Sequence, residues 1–201
     1  GDADALLTGL SQKYPSAIRP ILQIIGKNEG VNKIAGIYIL LTKKGPLILA
    51  DTTINVNPSV DDIVEIVINT AAAAERMSIK PRFALLSYSN FGSNKGELPQ
   101  RMQRASEIIR QKRPDLIVDG EMQANFAMDN DLLKEVFPFS TLANKKPNVL
   151  IFPGLASGNI AYKLLQSSGV GEAIGPILIG LDKSAHVLQI GSSVREIVNM
   201  A

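Results

Sequence analysis

The chain has 201 residues, 45% of them hydrophobic and 20% charged, with 21 basic against 19 acidic side chains and a net charge of +2. That length suits one good core or two small lobes, and the charge balance lacks the footprint of a nucleic-acid binder, with no basic run longer than the pairs Lys43-Lys44 and Lys145-Lys146. The absence of cysteine excludes disulfides and thiolate metal sites, which is compatible with a cytoplasmic setting, and a single histidine, His186, makes neither a His cluster nor a Ser-His-Asp triad.

No apolar run approaches the ~20 residues that span a bilayer, so no membrane role is expected. Gly1-Asp2-Ala3-Asp4 lacks the basic start of a signal peptide. Residues 5–9 then read as a strand ending at Gly9. Ile18, Ile21, Leu22 and Ile25 recur at helical spacing over 16–25, and Gly26 stops that helix. The apolar runs 34–41 and 46–50, separated by Thr42-Lys43-Lys44-Gly45, read as adjacent strands joined by a tight turn. Ser59 and Asp62 form a capping box, and Val60, Ile63, Val64, Val67, Ile68 and Ala71 trace one face of the helix that follows.

Residues 82–87 are a predicted strand and 99–111 a helix closed by Pro114. A short strand over 116–118 leads into Asp119-Gly120-Glu121. A strand over 148–152 and a helix over 158–166 come next, then strands over 173–179 and 186–190 and a helix from Val194 onward. Alternation of strand and helix along the whole chain predicts an α/β fold. Because it starts in a strand and stops within a helix, the chain is expected to be a fragment of a longer polypeptide.

Four places hold side chains capable of chemistry. The loop Ser87-Tyr88-Ser89-Asn90-Phe91-Gly92-Ser93 follows a strand and precedes a helix, where hydroxyls and free N–H groups suit phosphate oxygens. An ordinary polar turn uses the same residues. Arg19 offers a permanent, planar charge to a phosphate, or simply a solvated one to water. Asp119-Gly120-Glu121-Met122-Gln123 places two carboxylates at a strand end, for acid–base work or for capping the next helix. Pro153-Gly154-Leu155-Ala156-Ser157-Gly158-Asn159 is a glycine-containing strand-to-helix turn that suits a nucleotide-like ligand or plain chain reversal.

In order and local sequence these blocks resemble the phosphate acetyl/butyryl transferase family across nearly the whole chain. The matching residues are Thr8-Gly9, Arg19-Pro20 and Leu22 to Ile25; Ser87-Tyr88-Ser89 with Gly92-Ser93; Asp119-Gly120-Glu121 with Gln123; Ile151-Phe152-Pro153 with Gly158-Asn159 and Tyr162-Lys163; and Ile174-Gly175-Pro176 with Gly180. Together with Asn148 to Pro153 and Ala124, the ending Val194-Arg195-Glu196-Ile197-Val198-Asn199-Met200-Ala201 most resembles the phosphotransacetylase-like C-terminal domain of bacterial NADP-dependent malic enzymes.

The resemblance implies a layered two-lobe α/β fold, of the isocitrate/isopropylmalate dehydrogenase-like kind. Residues 27–173 would form an inserted lobe, and 1–26 with 174–201 part of a split lobe completed upstream. It also implies a parent that turns malate and NADP into pyruvate, CO2 and NADPH. NADP and a divalent metal would be held in the upstream malic enzyme domain, and acetyl-CoA would be an effector of this one. A homo-oligomer is expected.

Carried over by position, Arg19 matches a coenzyme A-contacting arginine, Ser87, Ser89 and Ser93 match a phosphate/acyl loop, and Gly158 and Asn159 match a turn beside the cleft. At the reacting centre the pattern departs from Leu-Ser-Arg-Gly to Leu188-Gln189-Ile190-Gly191. Gln189 occupies the usual serine position, Ile190 the arginine and Glu196 the aspartate, while Asn125 replaces another common aspartate. Acyl transfer to phosphate needs a cation against developing negative charge, and Ile190 supplies none. The expectations are therefore a regulatory acetyl-CoA-sensing domain first, a working phosphate acetyltransferase second, and a structural oligomerisation module third.

Overall fold

The computed structural model describes residues 3–200, in which fifteen elements alternate along the chain. They are β1 (Ala5–Gly9), α1 (Tyr14–Ile24), β2 (Ala35–Thr42), β3 (Gly45–Ala50), α2 (Val60–Arg76), β4 (Arg82–Leu86), α3 (Glu97–Lys112), β5 (Ile117–Met122), α4 (Ala124–Met128), α5 (Asn130–Val136), β6 (Val149–Ile151), α6 (Leu155–Ser167), β7 (Gly171–Ile179), β8 (Ser184–Leu188) and α7 (Val194–Met200).

Six strands form one sheet in the order β5-β4-β6-β3-β2-β7. Strands β3, β6, β4 and β5 run parallel, while β2 is antiparallel to both β3 and β7. Both faces of this sheet are covered, which is why its strands read as continuous apolar runs. Alternation along β2 sends Ile37 and Ile39 to one face and Tyr38 and Leu40 to the other. On the first face they meet Ile63, Val67 and Ala71 of α2 and Met102, Ala105 and Ile109 of α3. The opposite face packs on Leu133 of α5 and Tyr162 of α6. Each fully buried aliphatic side chain of this kind contributes ~1.5–3 kcal/mol.

Helix α2 begins as its sequence predicts. The Ser59 hydroxyl accepts from the Asp62 N–H at 3.2 Å, and the Asp62 carboxylate accepts from the Ser59 N–H at 3.0 Å. The turn between β2 and β3 is just Lys43-Lys44, with Gly45 at φ +105, a conformation that favours glycine.

A separate pair of parallel strands, β1 and β8, carries α1 through Ala17, Ile21, Ala185 and Val187. Strand β7 pairs with β2 from Gly171 to Ile179, so a lobe limit at 173/174 falls inside a continuous strand. Its residues 174–179 belong to the six-stranded sheet.

Three local expectations need correction. Strand β5 runs through Asp119-Gly120-Glu121 to Met122 rather than ending at 118. Those carboxylates are strand residues, not helix caps; Gln123 is the N-cap of α4 and makes no side-chain cap bond. Strand β8 ends at Leu188, leaving Gln189 and Ile190 beyond it. Among the described residues no helix is long and apolar enough to cross a membrane.

Candidate functional site

The parallel strands β3, β4, β5 and β6 deliver their following loops to one end of the sheet, the usual ligand end of an open α/β fold. After β3, Asp51 turns inward and is 2% exposed. Its Oδ1 accepts from the N–H groups of Gly36 (3.0 Å), Thr53 (2.8 Å) and Ile54 (3.2 Å), and Oδ2 accepts from the Asn55 N–H at 2.7 Å. A buried carboxylate ringed by N–H donors is satisfied without a cation, and it fixes the backbone of 51–55.

Helix α6 docks against that fixed backbone. A Cβ on Gly158 would meet the Asp51 carbonyl oxygen at 2.3 Å, so only glycine permits this approach. Asn159 Nδ2 donates to the Thr52 carbonyl at 3.2 Å. Both lie within the first turns of α6, which starts at Leu155 rather than at 158.

Between α6 and the β1–β8 unit lies a cleft of about 590 Å³. Its walls include Tyr14 and Pro15 at the start of α1, Thr53 after β3, Asn159 and Ile160 of α6, and Gln189 and Ile190 after β8. The Tyr14 hydroxyl is buried without a partner, and burial, with Asp51 nearby, pushes its pKa up and keeps it neutral.

A smaller recess of about 180 Å³ adjoins on the other side of Gln189, edged by Tyr38, Tyr162, Gln166 and Glu196. Tyr38 and Tyr162 stack with ring centroids 3.6 Å apart. Gln189 Nε2 donates to the Tyr38 hydroxyl at 2.7 Å, and Gln189 Oε1 accepts from Lys163 Nζ at 3.2 Å. That ammonium also stands 5.2 Å from the centre of the Tyr162 ring. Burial holds the Tyr38 hydroxyl far above its ordinary pKa, so it titrates nowhere near neutrality.

Gln189, Ile190 and Glu196 thus converge on this recess, while Asn159, Gln189 and Ile190 share the larger cleft. Ile190 is 66% exposed and brings no charge. Glu196 is engaged at the start of α7, where its Oε2 accepts from the Ser193 N–H at 2.7 Å and the Ser193 hydroxyl accepts from its own N–H at 3.2 Å.

The serine loop lines neither cavity. Ser89 is buried, its hydroxyl 3.0 Å from Glu121 Oε1 and 2.9 Å from Ser93 Oγ, and it accepts from the Asn94 N–H at 3.0 Å. Glu121 Oε1 also accepts from the Gly92 N–H at 2.8 Å, while Oε2 is buried without a partner. Ser87 Oγ lies 3.4 Å from the Ser89 N–H. Asn90 and Gln123 exchange two bonds, at 2.7 and 2.9 Å, that fasten the loop to the end of β5. Asp119 is likewise consumed within the fold, by Arg110, Ser140 and the Thr141 N–H.

Arg19 is exposed on α1, and among the described residues no hydrogen bond or ion pair holds its guanidinium. It stands four positions after Pro15, hence on the same helix face as that cleft residue.

Tyr14, Tyr38, Asp51 and Lys163 are absent from the sequence-based candidates. Tyr38 and Asp51 lie in or just after apolar strand runs, where composition signals core. Among the described residues no group of three or more His, Asp or Glu could hold a metal ion.

The phosphate acetyl/butaryl transferase family profile matches residues 1–201. An NADP-dependent malic enzyme of Haemophilus influenzae is 40% identical over 200 residues, covering 100% of this chain and 26% of that protein. A phosphate acetyltransferase of Clostridium acetobutylicum is 37% identical over 207 residues, covering 100% of this chain and 62% of that enzyme. Among solved structures, a phosphotransacetylase from Streptococcus pyogenes superposes with a TM-score of 0.91 at 36% identity, over 98% of this chain and 60% of that one. The chain therefore spans less than two thirds of each of these relatives. It keeps the α/β scaffold of the solved enzyme, and it belongs to the phosphate acetyl/butaryl transferase family.

Proposed function

We propose that this chain is a regulatory, acetyl-CoA-sensing domain of a cytoplasmic malic enzyme, and that it has lost acyl transfer. The observation that carries this reading is the state of the reacting centre. Gln189 and Ile190 stand in place of the Ser-Arg pair, and the Gln189 amide is tied to Tyr38 and Lys163. In phosphotransacetylation the coenzyme A sulfur attacks the acetyl carbonyl carbon of acetyl phosphate, the C–O bond to phosphate breaks, and the thiol proton leaves with a base. Negative charge grows on the departing phosphate, and a fixed cation lowers that barrier. Ile190 cannot serve, and the Lys163 ammonium is already committed to Gln189 Oε1. Losing one such group costs ~10²–10³ in rate.

Ligand binding needs less than catalysis. The cleft of about 590 Å³ is within the range that holds a small organic ligand. Arg19 and the Gly158-Asn159 turn are the elements assigned to a coenzyme A ester, while the Ser87–Ser93 loop, which lines neither cavity, supports the scaffold. The similar NADP-dependent malic enzymes support a malic enzyme parent; in this proposal NADP and a divalent metal would be held outside these 201 residues. A homo-oligomer accords with the exposed apolar residues Ile160 and Leu164 on α6 and Val194 and Val198 on α7.

A second reading, a working phosphate acetyltransferase, is favoured by one observation: a cation, Lys163, does reach Gln189. The deciding experiment supplies the full-length protein with acetyl phosphate and coenzyme A and follows thioester formation. No turnover above the enzyme-free rate is expected. A rate near ~10 s⁻¹, ordinary for enzymes, would establish the second reading instead.

A further inference from the structure

The parallel strands β3, β4 and β6 start at the end of the sheet opposite the cleft, and a recess of about 360 Å³ opens there. Four cationic side chains line it: Lys43 and Lys44 from the β2–β3 turn, Arg82 at the head of β4, and Lys146 just before β6. No carboxylate lines it, and none of the four joins an ion pair among the described residues. A chain with a net charge of only +2 therefore gathers four uncompensated charges around one hollow. Like charges brought together without counter-ions repel, and an anion in the hollow removes that cost.

The hollow is held in shape by the fold. Thr42 Oγ1 donates to the Gly45 carbonyl at 2.7 Å and accepts from the Lys44 N–H at 3.1 Å, which sets the turn bearing both lysines. Arg82 Nε donates to the Lys146 carbonyl, and the Arg82 N–H donates to Asn148 Oδ1 at 2.7 Å. Besides these cations, Thr42 and Asn148, the lining side chains are apolar: Pro46, Leu47, Pro147, and Met128 and Val170, the last two each 41% exposed.

Four cations together with apolar side chains around one hollow match a ligand with a phosphorylated end and a flat apolar end. The volume suits one small molecule. We infer that this recess binds a nucleoside phosphate, at a site separate from the cleft between α6 and the β1–β8 unit. Strand β3 has six residues, so the two sites are separated by roughly 20 Å of sheet. None of the residues lining the recess is among those assigned to the coenzyme A ester.

Calorimetric titration of the full-length protein with ADP, and separately with inorganic pyrophosphate, tests this. Saturable ADP binding is expected, weakening as NaCl is raised, and about tenfold tighter than pyrophosphate because only ADP has a base to cover the apolar side chains. The K43Q/K44Q variant, altered only in an exposed turn, should bind ADP about tenfold or more weakly while keeping the wild-type unfolding midpoint. Lys146→Gln should act in the same direction, whereas Lys112→Gln, at the end of α3 and outside the recess, should leave ADP affinity unchanged. Identical ADP isotherms for wild type and K43Q/K44Q would overturn the site. Pyrophosphate binding as tight as ADP binding would overturn the assignment to a nucleoside phosphate. Neither result depends on whether acetyl-CoA binds the cleft or acetyl phosphate is turned over.

Discussion

Gln189 Nε2 and the Tyr38 hydroxyl, 151 positions apart in sequence, meet at 2.7 Å. This bond ties the segment after β8 to β2, the strand beside the β7 edge of the six-stranded sheet. Tyr38 is 2% exposed, so its hydroxyl has little access to water. Tyr38→Phe should therefore cost about 1–3 kcal/mol by leaving the amide of Gln189 short of a partner. Urea unfolding of the full-length protein, read by a probe in this region, measures it. An unchanged midpoint would show that the bond adds nothing.

Restoring the reacting centre is the complementary experiment. Ile190 is 66% exposed, so an arginine there meets no packed core. Q189S/I190R should raise thioester formation from acetyl phosphate and coenzyme A by at least about tenfold over the starting protein, part of the ~10²–10³ attached to one such group. Lys163 would be freed from Gln189 in the same step. If the double variant stays at the enzyme-free rate, the defect lies deeper than this pair.

Gly158→Ala tests the docking of α6. The new Cβ would fall 2.3 Å from a backbone oxygen, that of Asp51, and backbone yields less readily than a side-chain tip. Overpacking of this kind costs ~1–3 kcal/mol. Because α6 forms one wall of the cleft, acetyl-CoA affinity should fall together with stability. Wild-type stability in Gly158→Ala would contradict the close approach.

Ser89→Ala distinguishes a scaffold serine from a ligand-binding one. The Ser89 hydroxyl lies beside the buried Glu121 and accepts from the Asn94 N–H. Its loss should cost ~1–3 kcal/mol, since a buried carboxylate loses a neighbour. Acetyl-CoA affinity measured well below the unfolding temperature should change little. A selective loss of affinity with intact stability would place Ser89 in the ligand site instead.

His186 gives a pH dependence. Burial lowers its pKa below the ordinary 6.5, so the folded state holds it neutral. Its Nδ1 lies 3.3 Å from the Leu178 N–H, which needs an unprotonated acceptor. As pH falls below 6.5 the unfolded chain takes up the proton first, so stability present above 6.5 declines toward acid. His186→Gln should flatten that part of the decline between about pH 7.5 and about pH 5.5 in unfolding midpoints. An identical pH profile in the variant would remove His186 from the account.

Most of the strands and long helices were legible because burial on both sheet faces writes apolar runs for β2, β3 and β4, and a 3.6 period for α2. The two short helices α4 and α5, of five and seven residues, do not register in the sequence pattern. From sequence, strand β5 reads as ending at 118 because Asp119 and Glu121 look solvent-bound. Only the fold shows that Arg110, Ser140, Ser89 and the Gly92 N–H receive them. The departure from Ser-Arg at Gln189 and Ile190 is readable only through the family resemblance. That Tyr38 and Lys163 hold Gln189 depends on strand order, which no local pattern carries.

Arg19 decides how far the regulatory reading reaches. It shares a helix face with Pro15 of the cleft wall, and its guanidinium is free of protein partners among the described residues. A phosphate of a coenzyme A ester is a natural counter-charge for such a fork. Arg19→Ala should weaken acetyl-CoA binding to the full-length protein by roughly tenfold, as one charge-assisted contact does. It should also shrink the effect of acetyl-CoA on malate oxidation while leaving the basal rate intact. Coupling of ~1–3 kcal/mol between the sites suffices for a clear change in malate affinity, provided that acetyl-CoA prefers one arrangement of the protein. Calorimetry showing equal acetyl-CoA affinity in wild type and Arg19→Ala would take Arg19 out of the site. Absence of any acetyl-CoA binding to the full-length wild type would leave the chain as a structural module.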